Sequence, residues 1–124
     1  MDFLTPKTFG KQAEDYACKI LKKNGYKILK QNARTRYGEL DIIALDGDVL
    51  VFCEVKARQG DVSGSPAEAI DAQKQRQLAQ LAEAWQQRHP QWLNAPCRFD
   101  AVLVKKQNKR WQAEIIADAF QLGW

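Results

Sequence analysis

A chain of 124 residues, 45% apolar and 27% charged, has the size and balance of one globular domain over residues 1–124, which excludes a two-domain enzyme and an intrinsically disordered chain. The net charge of +4 is unevenly spread, because residues 1–36 hold nine basic groups against three acidic ones; this suggests a polyanion-facing surface beside something carboxylate-rich. No apolar run approaches the roughly eighteen residues of a membrane span, and MDFLTPKTFGKQ lacks the form of a secretory signal, so a cytoplasmic protein with no membrane partner is expected.

The segment TPKTFGKQAEDYACKILKKNGYKIL opens on turn and capping residues, places Phe9, Ala13, Tyr16, Ala17, Ile20 and Leu21 at helical spacing, and stops at Asn24-Gly25. It predicts a first helix. Tyr26 to Arg36 reads as a strand running into a polar loop that carries Arg34 and Arg36. GELDIIAL and DVLVFCEVKA are β-rich runs separated by Asp46-Gly47, a tight-turn signal, and so form a hairpin. Ser65-Pro66-Ala67-Glu68 combines a capping serine, a proline at the first helical position and a glutamate three residues after the cap. This predicts a second helix from there to about Arg88, turning Ile70, Leu78, Leu81, Ala82 and Trp85 inward. CRFDAVLVK and RWQAEII, separated by KQNK, read as a closing pair of strands, giving the order αβββαββ.

Cys18, Cys53 and Cys97 are far apart, odd in number and set among apolar residues, so they read as small buried hydrophobes and not as a disulfide framework or a zinc site. The one histidine, His89, precedes Pro90 at a helix end and reads as a helix-end or loop residue. Histidine-ligated zinc hydrolysis and a triad needing a further histidine therefore lack material. Catalysis would fall to carboxylates, lysine or a hard metal.

The hairpin concentrates these groups. With Asp46-Gly47 as a two-residue turn, Leu45 faces Asp48, Asp41 faces Phe52 and Glu39 faces Glu54. Strict alternation then sends Glu39, Asp41, Glu54 and Lys56 to one side, at the end away from the turn. Leu40, Ile42, Ala44, Val49, Val51, Cys53 and Val55 form an apolar opposite face, while Ile43, Leu45, Leu50 and Phe52 cover the rest of the polar side. Carboxylates gathered at a core margin repel one another, and burial worsens it, so a cation should sit among them. Lys56 is one candidate, and a hard divalent cation such as Mg²⁺ matches several converging acids better. Such a cation polarises a phosphoryl oxygen, which is the chemistry of phosphodiester hydrolysis. A surface ion-pair patch of Glu54 and Lys56 is the plainer alternative. Glu14 lies on one helical stripe with Ala17, Cys18 and Leu21, bordering the buried face, while Arg34, Arg36, Arg58 and Lys74 would rim the site with groups suited to phosphate.

GELDIIA and FCEVKAR, preceded by NARTR and followed by GSPAEAIDAQKQRQL and RFDAVLV, closely resemble the YraN family of small bacterial proteins, from Gly10 and Glu14 to Ala119-Phe120. That family in turn looks like the PD-(D/E)XK nuclease superfamily, which includes type II restriction enzymes and Holliday junction resolvases. The resemblance implies a three-layer restriction-endonuclease-like α/β fold, a mixed sheet flanked by helices. It makes Asp41 the acid of the first motif, Glu54 and Lys56 the second, the Val55 carbonyl a metal ligand and Glu14 the helix acid. Leu40 stands where the superfamily name has proline and Ala13 where glycine is usual before Glu14; neither change removes a functional group.

The expectation is therefore a Mg²⁺- or Mn²⁺-dependent nuclease acting on DNA, with branched or junction DNA as the resolvase-like case. Asp41 and Glu54 would bind metal, Glu39 and Glu14 would assist, Lys56 would position the attacking water, and Arg34, Arg36, Arg58 and Lys74 would bind nucleic acid. A branched-substrate nuclease would be expected as a homodimer. The alternatives are a nucleic-acid-binding module of nuclease fold without turnover, and a protein-interaction domain.

Overall fold

The structure, a computed structural model, describes residues 7–60 and 70–120. Helix α1 spans Phe9–Lys23; Thr8 caps it by accepting from the Lys11 N–H at 3.1 Å, and Gly25 adopts the positive φ (91°) that ends it. Its buried face is Ala13, Ala17, Cys18 and Leu21. Strands β1 (Lys27–Thr35), β2 (Gly38–Asp46) and β3 (Val49–Gln59) follow, then α2 (Ala72–Gln87), a short 3₁₀ turn at Pro90–Trp92, and β4 (Cys97–Gln107) and β5 (Arg110–Phe120). The order αβββαββ is thus the one read from the sequence. The five strands lie in chain order in one mixed sheet, β3 and β4 parallel and all other neighbours antiparallel. Among the described residues no helix is long and apolar enough to cross a membrane.

Parallel β3 and β4 need a crossover, and α2 lies within it. The helices cover opposite faces. Ile42, Ala44, Val51, Cys53, Val102 and Val104 pack with α1. Ile43, Leu50, Phe52, Phe99 and Ala101 pack with Ile70 and with Leu78, Leu81, Ala82 and Trp85 of α2. The result is α/β with a sheet between two helices.

Four readings of the chain need correction. The hairpin turn is Gly47-Asp48, with Asp46 paired to Val49 and Ile43 to Phe52, so Asp41 does not face Phe52, nor Leu45 Asp48. Gly47 has positive φ (60°) and Asp48 does not, which puts the glycine at the first central position of the turn and returns Asp46 to the strand. Strand β1 continues to Thr35, so Arg34 is a strand residue opposite Glu39, not a loop residue. Helix α2 begins at Ala72, where the Asp71 carboxylate accepts from the Lys74 N–H at 2.8 Å; Asp71 supplies the N-cap expected of Ser65, and Ile70 packs in the core from just ahead of the helix. The Ser65-Pro66-Ala67-Glu68 segment itself lies outside the described residues. Cys18 and Cys53 are buried as expected, but Cys97 is exposed because it opens β4 at the sheet margin. His89 follows α2 and stacks on Trp85 with centroids 4.0 Å apart.

A further departure shapes the site. Leu40 and Ile42, two residues apart on β2, do not share a face: Leu40 packs with the α2 cluster and Ile42 with the α1 cluster. Their partners on β1 behave alike, for Ala33 joins the α2 cluster while Gln31 donates to Asp15 of α1 at 3.3 Å. Both strands swap faces at one level, occupied by Asn32 and Asp41. Asn32 has φ 54°, the left-handed backbone that asparagine tolerates better than most residues.

Candidate functional site

Asp41 stands at the face swap. Its Oδ2 accepts from the Val55 backbone N–H at 2.8 Å, just beyond Ile42–Cys53, the last pair of the β2–β3 ladder. The carboxylate replaces a ladder acceptor where the two strands part, and it adjoins acids on both faces of the sheet.

On the α1 side, carboxylate oxygens of Glu14, Glu39 and Asp41 all lie within 4.8 Å of one another. Asn32 holds two of them. With its side-chain nitrogen turned toward the acids and its oxygen toward the lysine, the orientation its neighbours require, its amide donates to Glu39 Oε1 at 2.9 Å and to Glu14 Oε2 at 2.8 Å, and accepts from Lys11 Nζ at 2.8 Å. On the α2 side, Glu54 is only 6% exposed and faces Lys74 Nζ at 3.4 Å and Lys56 Nζ at 3.9 Å. The expectation that Glu39, Asp41, Glu54 and Lys56 emerge on one side is therefore replaced by two clusters joined through Asp41, because the face swap breaks strict alternation.

The acids strain one another electrostatically. Burial, followed by the charge of Asp41, pushes the Glu54 carboxyl up to about 7. Burial also raises Asp41, against the lowering effect of the Val55 N–H and Lys74, and raises Glu14, to which Asp41 adds. Among the described residues, Glu54 Oε2 is a buried side-chain oxygen without a hydrogen-bond partner. Glu14, Glu39 and Asp41, whose oxygens converge, are a donor set that a hard divalent cation such as Mg²⁺ or Mn²⁺ would satisfy, and the orphaned Glu54 oxygen lies outside that trio, linked to it through the charge of Asp41. These residues fit such an ion.

The basic residues divide. Lys74 is joined to Glu54, and Arg34 pairs with Glu39 at 3.3 Å while remaining mostly exposed. Arg36 donates to the Tyr37 hydroxyl at 2.6 Å and lies over its ring, and Arg58 is exposed near the end of β3. Sequence reasoning missed Asn32, whose only signal is its residue type within a strand, and it missed Asp100. The latter is 0% exposed, accepting from Tyr26 Oη at 2.8 Å, Arg98 Nε at 2.9 Å and the Asp118 N–H at 2.8 Å. Arg98 continues to Asp46 at 2.7 Å, so this buried network braces the hairpin-turn end of the sheet, opposite the acid cluster. An arginine two residues before an aspartate inside an apolar strand was the available clue.

A model of the family described as Uncharacterised protein family UPF0102 matches residues 13–104. A UPF0102 protein of Magnetococcus marinus is 70% identical over 124 residues, the whole of both chains. One of Pseudomonas aeruginosa is 44% identical over 95 residues, 77% of this chain and 76% of its own. Another, of Symbiobacterium thermophilum, is 44% identical over 115 residues, 90% of this chain and 94% of its own.

Proposed function

The chain belongs to the UPF0102 family, the YraN proteins that its motifs resemble, and from that premise we propose that it is a divalent-metal-dependent endonuclease of restriction-endonuclease-like fold that hydrolyses phosphodiester bonds of DNA. The observation that carries the reading is the unpartnered, buried Glu54 Oε2 beside Asp41. A protein that only bound a polyanion would gain nothing from repelling carboxylates at its binding surface, whereas a phosphodiesterase needs them to seat a cation.

In this reading Asp41 and Glu54, with the Val55 carbonyl, hold Mg²⁺ or Mn²⁺, and Glu39 and Glu14 assist from the α1 side. The cation supplies Lewis acidity toward the scissile phosphate and offsets the charge that builds on it. Lys56 Nζ, tethered near Glu54 Oε1 at 3.9 Å, donates a hydrogen bond that orients the attacking water and shields charge on the phosphoryl oxygens. Lys74 bridges α2 to Glu54 and fixes that carboxylate against the sheet. Asn32 sets the orientation of Glu14 and Glu39. Arg34, Arg36 and Arg58 draw the phosphate backbone toward the acids.

The test is cleavage of branched, flapped, single-stranded and duplex DNA with Mg²⁺ and Mn²⁺. Asp41→Ala and Glu54→Ala should abolish cleavage while metal-free affinity for DNA stays equal or rises, because the substitution removes a negative charge facing phosphate. Lys56→Ala should lose cleavage yet keep Mn²⁺ binding. A wild-type protein that binds but cuts none of these substrates, with variants that behave identically, would replace the enzyme by a binding module.

A further inference from the structure

A cavity of about 310 Å³ lies between the β1–β2 turn and α2, lined by Arg36, Tyr37, Gln80, Glu83, Gln87 and Arg88 among others. Its size is at the small end for ligand sites, enough for one ring system and far too small for the side of a duplex. Tyr37 is one of two large hydrophobic side chains left exposed among the described residues, at 38%. The Arg36 guanidinium lies 4.8 Å from the centre of its ring, so a flat, cationic aromatic platform forms one wall.

The turn that carries this platform is held in place. Thr35 Oγ1 accepts from the Tyr37 N–H at 3.1 Å, and Gln77 of α2 donates to the Tyr37 carbonyl at 3.3 Å. Gly38 has φ 130°, which favours glycine, and a side chain there would meet Gln77 Nε2 at 3.2 Å, so the turn packs tightly against the helix. The next residue is Glu39 of the acid cluster. On the other wall, Gln80, Gln87 and Arg88 continue along the helix that brings Lys74 to Glu54, a rise of about 20 Å from Lys74 to Arg88.

We propose that this cavity is a subsite for one unpaired nucleotide of the substrate strand. The base stacks on Tyr37, its polar edge meets the side chains of Gln80, Glu83 and Gln87, and the flanking phosphates meet Arg36 and Arg88. A base inside a continuous duplex is already stacked and paired, so the subsite selects nucleic acid with a single-stranded segment next to the cleavage point. This inference rests on the nucleic-acid reading of the acid site and names the substrate class of that site.

Binding is measured in EDTA, so that its outcome is independent of cleavage, with a single-stranded oligonucleotide carrying one 2-aminopurine and with a blunt duplex of the same sequence. Tyr37→Ala should weaken single-strand binding about tenfold and duplex binding less than twofold, while Tyr37→Phe keeps most of the wild-type affinity, because the ring still stacks and only the hydroxyl that accepts from Arg36 is gone. The 2-aminopurine fluorescence should be quenched on binding to wild type and Tyr37→Phe but not to Tyr37→Ala. A matched ribo-oligonucleotide decides whether DNA or RNA supplies the nucleotide. Equal losses on single strand and duplex, no loss on either, or a Tyr37→Phe that behaves as Tyr37→Ala would overturn the subsite. A wild-type protein that cuts none of the substrates in the earlier assay, with these binding results intact, would overturn only the nuclease.

Discussion

Glu54→Gln should make the metal-free protein more stable at neutral pH. The folded chain holds the Glu54 proton up to about pH 7, whereas an ordinary glutamate releases it near 4.5. Between those values the folded state binds more protons than the unfolded one, so stability falls as pH rises, by about 1.4 kcal/mol per unit and about 3 kcal/mol across the window. The glutamine keeps the shape and carries no charge, which removes that slope. The two proteins should therefore be nearly equal in stability near pH 4.5 and diverge in favour of Glu54→Gln by pH 8. Urea unfolding in EDTA at half-unit pH steps measures the difference; subtraction cancels titrating groups remote from the site, while Asp41, which is coupled to Glu54, is part of the difference. Adding Mg²⁺ should stabilise wild type through the orphaned Oε2 and leave the variant nearly unchanged; tenfold excess over the dissociation constant corresponds to about 1.4 kcal/mol. A stability difference that stays flat from pH 4.5 to 8 would refute the reasoning, because the carboxylate would then be adequately solvated or paired.

At the other end of the sheet, Asp100→Asn should cost about 3 kcal/mol by urea unfolding, since it leaves Arg98 without its fully buried partner, and Tyr26→Phe about 2 kcal/mol, since the hydroxyl both donates to Asp100 and accepts from Arg98. A loss below 1 kcal/mol for Asp100→Asn would show that the network is dispensable. In DNA binding, replacing Arg36 and Arg58 together by alanine should reduce the salt slope of log affinity by about two counterions, and an unchanged slope would remove them from the interface.

How far the sequence reached can be followed at single residues. The helices and strands were legible because apolar spacing switches cleanly between periods, and Asp41, Glu54 and Lys56 stood out as polar groups in strands otherwise built for burial. The β2–β3 register was misplaced since Asp-Gly is compatible with two turn positions, and only the backbone angle at Gly47 decides between them. Even so, the error moved both strands together and preserved parity. Strict alternation failed at Asn32 and Asp41, where a left-handed residue on one strand lets two strands swap faces; nothing local distinguishes that asparagine from one on a surface turn. Asp71 was passed over in favour of Ser65 because both residue types can cap, and the bond that Asp71 accepts from the Lys74 N–H marks it as the cap of α2.

The parallel pairing at the centre of the sheet bears on how the chain acquires this structure. Strands β1, β2 and β3 are joined by two-residue turns and can form as each is made, but β3 reaches its other neighbour only when Leu50 meets Cys97 across the whole crossover. Contacts so distant along the chain form slowly, because loop closure must precede any gain from pairing. Until β4 docks, Val49 to Cys53 present an apolar strand with an unpaired edge, the arrangement most open to association between chains. Every candidate acid lies ahead of that closure, so an early folding intermediate would already carry the carboxylates while lacking the strand that completes the wall behind Glu54.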